Sequence, residues 1–92
     1  MGFASIITDD TESCFVCGKM GRIQKHHAIH GTGRRALADA YNLVIPLCPE
    51  CHAELHDRNP QLDKWVQAKA QEAFEQYYPE KSFLKIFGKN YK

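Results

Sequence analysis

Residues 42–57 read NLVIPLCPECHAELHD, and three physical signals follow one another in it without a gap. Leu43 to Leu47 is a short apolar run of strand type, and Pro46, which has no N–H for a ladder, gives it an edge or strand-end position. Cys48 and Cys51 enclose two residues, the spacing that turns both sulfurs towards one ion. Pro49 suits the first turn of a helix through PECHAELHD, where its missing N–H costs nothing. On that helix His52 and His56 are four apart and leave the same face about one turn from each other. The stretch therefore predicts a strand, a metal knuckle and a helix in direct succession.

Upstream, Cys14-Phe15-Val16-Cys17 supplies a second C-x2-C pair, with thirty residues between the two pairs. A chain of 92 residues makes one small domain with limited burial, for which a staple is expected. Two such knuckles suit a tetrahedral structural Zn2+ held by Cys14, Cys17, Cys48 and Cys51. A disulfide framework is the rival, but MGFASIITDDTESC has neither the basic start nor the long apolar run of a signal peptide. Zinc and a reducing, cytoplasmic location are expected together. A redox dithiol needs only one pair. No apolar stretch approaches the roughly 20 residues that span a bilayer, so no membrane role is expected.

The insert between the knuckles holds three of the five histidines, His26, His27 and His30. GRIQKHHAI alternates after a glycine and reads as a strand, which would point His26 and His27 to opposite faces and give them two different jobs. GTG breaks the chain, and RRALADAY has helix formers for about two turns. An N-terminal arm, residues 1–13, includes a short edge strand at FASII. Residues 14–58 form the stapled core. Residues 59–92 hold an amphipathic helix from about 61 to 77 and a basic tail, with a short helix at SFLKIF, all in a single domain. The stripe Leu62, Trp65, Val66, Ala70, Ala73 and Tyr77 is assigned to the core. If the strand at His26 pairs with NLVIPL and the helix from Pro49 crosses them, the fold class is α+β, a zinc-stapled ββα unit with a C-terminal helix. His26 then joins His52 and His56 as three imidazoles with open positions, the arrangement of a catalytic rather than a structural metal. Two ordinary surface histidines on the helix are the plain alternative.

The net charge is +1, but Arg22, Lys25, Arg34 and Arg35 form an acid-free run. The tail sets Lys81, Lys85, Lys89 and Lys92 against Glu80, interleaved with Phe83, Phe87 and Tyr91. Basic segments with aromatics suit a polyanion such as nucleic acid; solvated surface lysines are the bland alternative.

Together, CFVCG, KHHAIHG and NLVIPLCPECHAELH resemble the HNH, or ββα-metal, endonuclease superfamily in its cysteine-rich branch, common in phages, prophages and bacterial restriction genes. The resemblance covers residues 14–57. It implies that His26 and His52 bind one catalytic divalent ion, Mg2+, Mn2+, Ni2+ or Zn2+, with His56 as an additional helix ligand. It implies further that His27 is the general base and that Asn42 holds the loop before the second strand and helps orient that base. The implied activity is hydrolysis of DNA to 5′-phosphate and 3′-hydroxyl ends, with Arg22, Lys25, Arg34 and Arg35 as candidate phosphate contacts. His30 is expected on a surface loop or against a phosphate. So small a chain leaves little room for a recognition domain, so specificity is expected to be low or to come from a homodimer or from a phage or host protein partner. The competing expectation is a non-catalytic zinc module that binds nucleic acid or protein.

Overall fold

The computed structural model describes residues 3–31 and 33–92. In chain order these form β1 (Gln24–His27), α1 (Arg34–Ala40), β2 (Val44–Leu47), α2 (Pro49–Asp57), α3 (Pro60–Tyr77) and α4 (Phe83–Phe87). The two strands pair antiparallel in the register Gln24 to Leu47 through His27 to Val44, α1 fills the connection between them, and α2 packs on both. The α+β class and the ββα arrangement are as expected.

β1 is shorter than its alternating sequence suggests, because Gly21 and Arg22 have φ of 86° and 54°, a left-handed geometry that no strand accommodates. Pro46 lies opposite Lys25, and its carbonyl accepts from Phe15 N–H at 2.8 Å, which fastens the first knuckle to β2. α1 ends where Asn42 adopts φ 57° and Leu43 N–H reaches back to the Ala38 carbonyl at 2.8 Å, a Schellman closure with Asn42 in the left-handed position. α3 starts on Asn59, whose side chain accepts from Leu62 N–H at 3.0 Å, with Pro60 in the first turn.

Phe74 of α3 centres the core, within 5.1 to 5.3 Å, ring to ring, of Tyr41, Tyr78 and Phe83, edge-on to Tyr41 and Phe83. Val66 and Ala70 share its buried face, but Trp65 and Tyr77 are exposed, contrary to expectation. The apolar stripe is wider than the face that α3 has to cover. FASII is not a strand either. Ser5 Oγ donates to the Val44 carbonyl at 2.6 Å and Ile6 N–H to the Asn42 carbonyl at 3.1 Å, so the arm is tied to the start of β2 by single bonds.

The tail also departs from its expected use. Phe83 and Phe87 are buried in the core and cannot stack on bases. Gln71, itself buried, donates to Asn90 Oδ1 at 2.8 Å and accepts from Tyr91 N–H at 2.7 Å, while Lys92 pairs with Glu75 at 2.6 Å. Among the described residues no helix is long and apolar enough to cross a membrane. Because Gln71 satisfies the tail from inside α3, Gln71→Ala should strand the Tyr91 amide and cost about 1–3 kcal/mol. Chemical denaturation against the wild type measures this, and Lys92→Ala, at a solvent-exposed pair, should lower stability far less than Gln71→Ala.

Candidate metal centre

The first knuckle is a tight turn in which Cys14 N–H donates to the Lys19 carbonyl at 2.8 Å and Gly18 N–H to the Cys14 carbonyl at 2.9 Å. The second is the start of α2, with Cys48 as its N-cap, the sulfur accepting from Cys51 N–H at 3.4 Å. Phe15 on Pro46 brings the two together. All four thiols are free, and their sulfurs lie within 4.8 Å of one another. Cys17 and Cys48 Sγ are 3.8 Å apart. Bonds of about 2.3 Å to a tetrahedral ion give a sulfur–sulfur edge of about 3.8 Å, so the cluster is sized to hold a structural metal such as zinc. Its charges fit the same use. Burial raises the Cys14 thiol, but N–H donors from Cys17, Cys48 and Val16 outweigh it and bring it to about 6. Cys51 is pushed up by burial and then by the neighbouring sulfurs. One thiolate forms readily, and the rest ionise when a cation neutralises them.

One residue beyond Cys51, the helix turns its next face to β1. His52 and His56 meet His26 there, with one ring nitrogen of each within 4.8 Å of the others. His26 Nδ1 and His52 Nε2 are 3.3 Å apart. Metal–nitrogen bonds of about 2.05 Å at the tetrahedral angle give a nitrogen–nitrogen edge of about 3.3 Å. The donor chemistry agrees. His52 Nδ1–H donates to Gln24 Oε1 at 2.6 Å, which leaves the Nε2 lone pair for the cluster. Burial, reinforced by His52, His56 and other imidazoles, pushes His26 down to about 3, and burial followed by His56 lowers His52. These rings are neutral at pH 7, as a cation requires. His26 Nε2 is buried with no partner among the described residues.

The triad opens into a depression of about 60 Å³ bordered also by Lys25, His27, His30 and Arg35. It is large enough for an ion and small ligands on it. His27 reaches it without any bulge, because it is the last residue of β1 and the register is regular to its end. Its Nε2 is buried 3.1 Å from Asp39 Oδ1, off the line of a proper hydrogen bond. Asp39, held below the ordinary carboxylate range by Lys25 and then His27, also anchors Lys25 at 3.0 Å.

The remaining sequence candidates separate. Arg35 borders the depression. Arg34 is turned away: its Nε donates to the Phe87 carbonyl at 3.1 Å, and its guanidinium lies over Gly31, where a Cβ would come within 3.1 Å of it. Arg22 lies beside Met20, Pro49 and Glu50, outside the depression. Asn42 acts through its backbone in the α1–β2 turn and does not border the depression. His30 is not a free surface histidine. Its Nε2–H meets Asp63 Oδ1 and Oδ2 of α3 at 3.1 and 3.0 Å, a contact 33 residues away that no local sequence signal announces.

The chain belongs to the family described as "Protein of unknown function (DUF968)", whose model matches residues 9–79 and so spans both knuckles, the histidines and α3. Neither the curated proteins nor the solved structures give a match.

Because the cysteine cluster joins the arm, the sheet and α2, removing its ion should unfold the core. A strong chelator is expected to abolish cooperative thermal unfolding followed by circular dichroism, and Cys48→Ala to do the same without chelator. His52→Ala, one residue beyond the cluster, should leave the fold and its unfolding transition in place.

Proposed function

We propose that the protein is a metal-dependent endonuclease that hydrolyses DNA phosphodiester bonds at the histidine centre, with zinc in the cysteine cluster as its staple. The observation that carries this reading is the triad itself: imidazoles from β1 and α2, spaced for one ion and open on the side rimmed by Lys25 and Arg35. Four protein donors close the cysteine site, whereas three leave the histidine site a free position, which is the difference between a structural and a catalytic centre. The free cysteines suit a reducing cytoplasm.

A divalent ion bound there, Mg2+, Mn2+, Ni2+ or Zn2+, supplies charge neutralisation for the phosphate and the leaving oxygen. The chain's own groups do the rest. Arg35 and Lys25 attract and orient the phosphate oxygens at the rim. His27, on the border of the depression, takes the proton of the attacking water. Asp39 limits the rotation of that ring and keeps Lys25 beside it. A non-catalytic zinc module that binds nucleic acid or protein is the second reading.

Incubating supercoiled plasmid with the purified protein and each of the four ions tests the reading. Nicked or linear product is expected, reduced roughly 10²–10⁴-fold in His27→Ala and lost in His52→Ala. Equal cleavage by wild type and His27→Ala removes His27 as the base. A folded, zinc-loaded protein that cuts with none of the ions is the binding module instead.

A further inference from the structure

His30 has no part in the reaction described so far, yet it is one of the five imidazoles that border the depression. Asp63, its partner, is in the first turn of α3, where the helix end favours a carboxylate, and the Asn59 cap fixes that turn. The pair is mostly shielded, with side-chain exposures of 37% and 21%. A simple tie between the β1–α1 loop and α3 would account for the contact alone. The spacing of the rings asks for more.

The ring centroids of His26, His52 and His56 are 5.0, 5.3 and 4.9 Å apart. Imidazoles on one tetrahedral ion, with centroids about 3.2 Å from it, would be spaced about 5.2 Å. His30 is 6.4 Å from His26 and 6.3 Å from His56, too far to share the ion and close enough for one small ligand to stand between. Its Nε2 is engaged as well. With Nε2–H donated to Asp63, a neutral His30 carries its lone pair on Nδ1 and is an acceptor there. Gln24 fixes the tautomer of His52 in the same manner.

We propose that His30, held by Asp63, faces the fourth position of the ion bound by His26, His52 and His56, where its Nδ1 accepts a hydrogen bond from the water that enters. The proposal rests on the metal-centre part of the functional reading. His30 is thus a water-binding residue of the site and Asp63 a positioning residue that acts through it. A water held this way keeps its second hydrogen for His27.

The test uses the full chain with zinc in the cysteine cluster and Co2+ as the probe of the histidine site. In the wild type, three hyperfine-shifted imidazole N–H signals are expected by proton NMR. His30→Ala and Asp63→Asn should keep those three, shift the visible cobalt bands and weaken Co2+ binding by about 10-fold or more. If His30→Ala does not fold, the near-isosteric Asp63→Asn carries the same readouts. A fourth imidazole signal in the wild type would make His30 a ligand and overturn the proposal. So would variants that melt lower but bind Co2+ with wild-type affinity and spectrum, since a purely structural tie predicts that result. None of these readouts uses cleavage, so a protein that binds cobalt as described but cuts no DNA loses the nuclease reading alone.

Discussion

Cys48 ends β2, caps α2 and contributes a corner of the cysteine cluster, and the position of its sulfur ties these three together. A 92-residue chain with a two-stranded sheet has little core to fix the angle between sheet and helix. Ionised sulfurs repel each other unless a cation lies between them. A cation held by the four sulfurs would set the geometry that the apolar contacts then fill, and would also draw in the first knuckle and, through Phe15, the outer edge of β2. The histidine triad inherits that geometry, because His52 follows Cys51 directly and has no freedom of its own relative to β1.

What could be read in advance was what covalent proximity encodes. The course of the chain through β2, the knuckle and α2 depends on Pro46, Cys48, Pro49 and Cys51, whose effects act over one or two residues, and it was legible there. So were α1, α4 and the break at Asn59-Pro60, where caps and prolines act locally. The triad was legible because the i, i+4 spacing of His52 and His56 needs only one partner from the facing strand. The reading failed where the deciding partner is distant. Phe83 and Phe87 look like stacking aromatics beside lysines until Phe74 is seen beneath them. Arg34 looks like a phosphate clamp until the end of α4 takes its guanidinium. Trp65 belongs to an apolar stripe by spacing, but nothing in sequence says how wide a face the small sheet can cover.

His30 is the sharpest of these cases. Its neighbours in sequence made it resemble a spare member of a cluster, whereas its meaning comes from Asp63 on another element. Asn42 is the reverse. Its left-handed backbone and the closure it makes after α1 explain why this residue type stands there, and the loop-holding role implied by resemblance needs nothing further from its side chain.

Helix α2 has nine residues, and most of them are already committed. Pro49 and Cys51 belong to the knuckle, His52 and His56 to the triad, Leu55 to the core, and Glu50 meets Lys19 across the first turn. Ala53, Glu54 and Asp57 are what is left for variation. The uncommitted positions of this helix are thereby confined to a narrow strip. One nine-residue helix thus supplies side chains to both the cysteine and the histidine cluster.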